Sequence, residues 1–167
     1  MHPAMLDEAA LLADCEIRRQ RRSGPGGQHR NKVETAVVIT HSPTGIQGEA
    51  SERRSQEQNR QVALRRLRTN LAIHHRTDVS TEDYEPTVLW QDRCRSRRIS
   101  VSPQHEDFPA ILAEALNLLA ACGWEPKEAA SRLMCSPSQL VKLIQLEPHA
   151  FVELNRQRSE RELRQLR

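Results

Sequence analysis

The run Ser23-Gly24-Pro25-Gly26-Gly27-Gln28-His29-Arg30-Asn31-Lys32 holds three glycines in four residues around one proline, followed by a neutral amide. Arg21 and Arg22 precede it, and Arg30 and Lys32 follow the glutamine. Glycine reaches backbone conformations closed to other residues and lets the main chain approach a ligand closely. The composition suits a loop pressed against something anionic and crowded, or simply a mobile basic loop. It lacks the Gly-Lys-Ser/Thr ending of a phosphate-cradling loop and the glycine spacing of a dinucleotide site. Of the seven histidines, His74 and His75 are adjacent, and His2, His41, His105 and His149 stand apart at positions that suit core or surface. The cysteines, Cys15, Cys94, Cys122 and Cys135, lack the paired short spacing of a structural zinc site. No catalytic triad assembles from these residues. Neither a metal enzyme nor a covalent hydrolase is indicated, and no cofactor is expected.

The chain has 167 residues, enough for one ordinary domain or two small ones. Its formal charge of +3 conceals an asymmetry. Residues 16–76 carry 13 Lys/Arg against 5 Asp/Glu, whereas residues 102–167 carry 8 against 9. The basic half is the one suited to a polyanion. Asp7, Glu8 and Asp14, with no Lys or Arg before Arg18, are unlike a secretory leader or an organellar presequence. No apolar run is long enough to span a membrane. A cytoplasmic monomer is the expectation.

Elements must hold the glycine stretch in place. Residues 6–13 read as a short helix and residues 15–22 as a strand entering the stretch. Val33-Glu34-Thr35-Ala36-Val37-Val38-Ile39-Thr40 is rich in β-branched residues and reads as a central strand. Ser42-Pro43-Thr44-Gly45 is a turn, and residues 46–50 return as a shorter strand. A helix capped by Ser55, with Gln58 able to complete a capping box, covers the sheet. Val62, Leu64, Leu67 and Leu71 form its apolar stripe. Arg60, Arg65, Arg66 and Arg68 are either a solvated face or an extension of the cationic surface.

Residues 77–102 read as a linker, with acids first and then the cluster Arg93, Arg95, Arg97 and Arg98. Trp90 either closes a core or stacks on a base. Residues 103–150 read as a helical unit, with helices over 108–121, 127–134 and 139–145, and Gly123 ending the first. The last two resemble a helix-turn-helix, whose reading helix offers only Ser138, Gln139, Lys142 and Gln145. A packing or docking module fits this segment equally well. Residues 151–167 read as a polar helix or tail, and residues 1–15 as an N-terminal extension.

Gly26-Gly27-Gln28 in its setting resembles the catalytic loop of class I peptide-chain release factors. The likeness continues through Val33-Glu34-Thr35-Ala36-Val37, through Thr40-His41-Ser42-Pro43-Thr44-Gly45-Ile46, and through Arg54-Ser55-Gln56 to Asn59. Three blocks in order over residues 16–76 are far more specific than a lone Gly-Gly-Gln. The resemblance implies hydrolysis of the peptidyl-tRNA ester in the peptidyl transferase centre of the large ribosomal subunit. Gly26 and Gly27 would shape the backbone so that the Gln28 amide stabilises the oxyanion or the leaving ribose oxygen, and the Gln28 side chain would position water. RNA would supply most of the remaining groups, so the catalysis is ordering and electrostatics. Arg21, Arg22, Arg30, Lys32, Arg54 and Arg60 would contact phosphates, with His29, Asn31, Ser55, Gln56 and Asn59 completing the RNA-facing set. The partners implied are large-subunit rRNA and P-site peptidyl-tRNA.

The family's longer members carry separate domains that read the stop codon, for which the sequence shows no counterpart. The resemblance therefore points to the short, codon-independent members that rescue stalled ribosomes. Their lysine- and arginine-rich tail is not matched here, because Glu153, Glu160 and Glu162 interrupt the basic residues. A non-catalytic rRNA-binding assembly or quality-control factor, and a DNA-binding regulator, are the alternatives. The fold expected is α+β. A small mixed or antiparallel sheet lies under one helix with the Gly-Gly-Gln loop projecting, and a small all-helical unit follows. The loop is expected to be disordered away from the ribosome.

Overall fold

A computed structural model describes residues 1–20 and 35–167. The chain forms two compact units, one of Met1 and Pro3–His75 and the other of Arg76–Arg167 together with His2.

In the first unit, Asp7 caps helix α1 (Glu8–Ala13) by accepting from the Ala10 amide at 2.8 Å. Strands β1 (Cys15–Gln20), β2 (Ala36–His41) and β3 (Gln47–Ala50) form an antiparallel sheet in the order β1-β2-β3. The β-branched run therefore does lie centrally, starting at Ala36, and it buries Val37 and Ile39. Gly45 makes the β2–β3 turn at φ +70°, where a side chain would strain the backbone. His41 is buried in that turn, its Nδ1 2.8 Å from Thr44 Oγ1.

Helix α2 (Gln56–His74) starts at Ser55, whose hydroxyl accepts from the Gln58 amide at 3.4 Å. It lays Ala63, Leu64, Leu67 and Leu71 on the sheet. Val62 is only half-buried, and Ala63 takes the inner place. The approach is close enough to need a glycine. A Cβ on Gly48 of β3 would stand 2.1 Å from the Ala63 carbonyl oxygen and 2.3 Å from the Leu67 amide.

In the second unit, α4 (Phe108–Ala121) is the buried helix, and its bounds are those read from the sequence. It packs on α5 (Pro126–Arg132) and α6 (Pro137–Gln145), and α3 (Val88–Arg93) and α7 (Pro148–Ser159) complete the helices of this unit. Prolines at the first turns of α5, α6 and α7 waste no hydrogen bond there. Gly123 at φ +63° ends the α4 segment. Trp124, which follows, has the guanidinium groups of Arg76 and Arg161 at 5.6 and 5.9 Å from its ring centroid.

Residues 77–102, read as a linker, hold α3 and a two-stranded hairpin, β4 (Cys94–Arg95) and β5 (Arg98–Ile99), inside this second unit. Two polar residues buried within the apolar α4 lace the segment down. Asn117 donates to Thr77 Oγ1 at 2.8 Å and accepts from its amide at 3.3 Å. Glu114 accepts from Tyr84 Oη at 2.9 Å, from the Thr87 amide at 2.8 Å and from Thr87 Oγ1 at 2.5 Å. Burial, and after it the Glu114 charge, push the Tyr84 hydroxyl well above the usual tyrosine range.

The α5–α6 turn receives three donors in succession. Trp90 Nε1 donates to Leu133 O at 2.8 Å, Cys94 Sγ to Met134 O at 3.8 Å and Arg97 to Cys135 O at 3.3 Å. Trp90 is thus a core residue, 1% exposed, rather than an open stacking platform. Gln139, expected to be free on the reading helix, accepts from the Ile99 amide at 3.3 Å. Residues 151–167, read as a polar helix or tail, continue α7 to Ser159, after which Asn155 pairs with both backbone groups of Leu166 and Arg158 donates to Arg164 O at 2.9 Å.

Candidate functional site

Arg21, Arg22, Gly26, Gly27, Gln28, His29, Arg30, Asn31 and Lys32, and the expected projecting, disordered loop, lie outside the described residues. What the structure defines is the support on either side of them. Gln20 pairs with Ala36 in the β1–β2 ladder. Directly opposed residues of antiparallel strands hold their Cα atoms about 5 Å apart. The described chain therefore stops and resumes at neighbouring points of one hairpin.

Asn59 secures that point from α2. Its Nδ2 donates to Thr35 O at 2.6 Å and to Arg53 O at 2.9 Å, while its Oδ1 accepts from the Arg53 amide at 2.9 Å. The side chain is fully buried. This differs from the expected RNA contact, because an amide enclosed in this way has no face left for a phosphate. Its task is to fasten the start of β2 and the entry of α2 to one another. The Asn four residues beyond Ser55 was visible in the sequence, but its backbone partners, 24 residues away at Thr35, were not.

Of the remaining predicted contacts, Arg54 and Ser55 are exposed at the start of α2, and Gln56 is half-buried beside them. Arg60 is more constrained, bonding Glu8 at 2.7 Å and Glu57 at 3.3 Å. The Glu8 bond raises its pKa above the ordinary arginine value. A cleft of about 380 Å³ runs between β1 and the first turn of α2, lined by Ile17, Arg19, Val37, Gln56, Glu57 and Arg60. It brings Gln56 and Arg60 together, and it adds Arg19, which the motif blocks did not single out. Alternation along β1 is the signal that could have found it, since Ile17 and Arg19 share one face.

The arginines farther along α2 are largely occupied. Arg66 bonds Glu52 at 2.8 Å and Glu49 O at 2.7 Å, and Arg68 donates to Leu6 O. The Glu52 carboxyl is held below its usual range, chiefly by the backbone amides of Glu52 and Ser51. Among the described residues, no group of three His, Cys, Asp or Glu could hold a metal ion. No described helix is long and apolar enough to cross a membrane. Arg19 and Arg60 in the cleft, with the exposed Arg54 at the start of α2, are cations suited to an anion.

The comparisons fit a support of this kind. The chain is 47% identical over 70 residues to peptide chain release factor 1 of Symbiobacterium thermophilum, covering 42% of this chain and 20% of that protein. It is 42% identical over 89 residues to peptide chain release factor 2 of Variovorax paradoxus, covering 50% and 24%. It is also 42% identical over 71 residues to the mitochondrial peptide chain release factor 1-like protein of Mus musculus, covering 42% and 19%. The chain thus spans about a fifth to a quarter of the length of these curated relatives. Residues 10–106, more than half of the chain, match the RF-1 domain, and with the hairpin, its clamp and the Gly-Gly-Gln sequence in hand, the protein belongs to the RF-1 domain family of class I peptide chain release factors.

Proposed function

We propose that this protein hydrolyses the ester between nascent peptide and P-site tRNA on the ribosome, and that it does so without reading a stop codon. The observation that carries the proposal is an intact Gly26-Gly27-Gln28 in a chain that belongs to the release factor family. Binding to RNA alone would not require that tripeptide. The Gln28 main-chain amide is assigned the developing oxyanion or the leaving ribose oxygen, and its side chain the attacking water. Arg21, Arg22, Arg30, Lys32 and Arg54 are assigned rRNA phosphates. Arg60 joins them only by exchanging its bonds to Glu8 and Glu57.

The test is release of labelled peptide from purified 70S complexes programmed with truncated mRNA, with a sense codon, or with a stop codon in the A site. Release on truncated mRNA, with no gain from the stop codon, is the expected result. Release that requires the stop codon would overturn the codon-independent reading while leaving the hydrolase in place.

A further inference from the structure

The β4–β5 hairpin of the second unit carries arginines that the proposed hydrolysis does not use. Of the cluster Arg93, Arg95, Arg97 and Arg98, Arg93 is held by Asp107 at 2.5 Å, and Arg97 gives one N–H to Cys135 O at 3.3 Å. Arg95 and Arg98 are exposed, and neither forms an ion pair among the described residues. The two are directly opposed in the β4–β5 ladder. Directly opposed residues of an antiparallel pair share one face, with Cα atoms about 5 Å apart, and like charges placed there repel.

The hairpin is braced in this arrangement. Cys94 Sγ donates to Met134 O at 3.8 Å, the Ile99 amide to Gln139 Oε1 at 3.3 Å and the Ser100 amide to Arg93 O at 2.8 Å. Its tip, Ser96 and Arg97, takes φ of +50° and +64°, a left-handed pair that two-residue hairpins ordinarily give to Asn and Gly. A strained turn thus sets two unneutralised guanidinium groups side by side. Other exposed arginines have acids beside them: Arg18 bonds Glu16 at 3.0 Å, Arg66 bonds Glu52 at 2.8 Å and Arg156 bonds Glu153 at 2.7 Å.

We propose that Arg95 and Arg98 form a docking point for the phosphate backbone of RNA, independent of its base sequence. Phosphate oxygens set between the two planar forks replace the repulsion with charge-assisted hydrogen bonds, for which guanidinium has the matching geometry. Residues 94–100 expose no large apolar side chain, so this face lacks the apolar centre around which a protein interface is built. A sugar–phosphate chain needs none. The choice of RNA among polyanions rests on the ribosomal function proposed above, although the hairpin takes no part in ester hydrolysis.

The test is fluorescence anisotropy of the full chain with labelled oligo(U) of about twenty nucleotides, titrated across salt concentrations. Arg95→Ser with Arg98→Ser should lower the slope of log affinity against log salt by about 1.4, the loss of two single-strand phosphate contacts. Arg95→Lys with Arg98→Lys keeps both charges and should restore the slope. Arg66→Ser with Arg156→Ser removes the same net charge from arginines already held by acids, and should leave the slope as in the wild type. All four positions are exposed, so the variants should keep the wild-type circular dichroism. A wild type that does not bind, a hairpin variant with an unchanged slope, or equal losses in the two serine variants would each overturn the proposal. Labelled polyglutamate bound more tightly than oligo(U), and through Arg95 and Arg98, would overturn it in favour of an acidic protein partner. These readings involve no peptide release, so a wild type that binds RNA without releasing peptide would count against the hydrolase alone.

Discussion

Each unit fastens an irregular segment with one buried polar side chain, and the two use opposite chemistry. In the first unit the neutral amide of Asn59 bridges a donor and two acceptors of the backbone at Thr35 and Arg53. In the second, the Glu114 carboxylate collects three donors from Tyr84 and Thr87. An amide can serve both kinds of partner, whereas a carboxylate can only accept. Two of the Glu114 partners are hydroxyls, which can rotate and accept instead. The carbonyls facing Asn59 have no such freedom. The clamp in the first unit is therefore the less forgiving of the two.

Asn59→Asp should break the comparison most sharply. It removes both donors, turns a buried charge on two backbone carbonyls, and should cost about 4 kcal/mol in urea unfolding followed by circular dichroism. A cost below about 1 kcal/mol would mean the amide is not the fastening the geometry describes. Gly48→Ala tests whether close packing of sheet on helix matters as much as the clamp. With backbone atoms of Ala63 and Leu67 in the way, β3 must move off α2, at a cost of about 3 kcal/mol. Glu114→Gln should be milder, about 1 kcal/mol, because the Thr87 hydroxyl can accept from the new amide. Both tryptophans lie in the second unit, so their fluorescence reports that loss directly.

The smallest effect expected is acid sensitivity in α7. The bond from Arg156 is the main reason the Glu153 carboxyl is held below its ordinary 4.5. A depressed carboxylate contributes stability that is present above the unfolded value and lost as pH falls through the folded one. Glu153→Gln should therefore flatten the stability profile below about pH 4.5 and leave it unchanged in slope near neutrality.

The same contrast explains what could be read from the amino-acid sequence. The β-branched run ending at Thr40, the Ser55 cap and the Ala/Leu-rich α4 declare themselves through local pattern, and each is found in place, the strand shifted by a few residues. Residues 77–102 were not legible, because what holds them is Glu114 and Asn117, two polar positions inside an apolar helix. Periodicity says nothing about which distant backbone a buried polar group will satisfy. Asn59 stands in a motif block, and its amide serves the backbone at Thr35 and Arg53. Charge was a better guide to composition than to availability. Arg60 and Arg66 are held by Glu8 and Glu52, while Arg95 and Arg98 stand without an ion pair among the described residues.

If Gly26-Gly27-Gln28 makes this protein a hydrolase, single-turnover peptide release on truncated mRNA depends on that tripeptide. Wild type and Gly27→Ala would be compared at ribosome concentrations where both are fully bound. Release by the wild type is expected, with a fall of about a hundredfold or more in the variant and ribosome binding retained. Ribosome binding by the wild type without release would rule out the hydrolase and leave a binding protein built on the release factor fold.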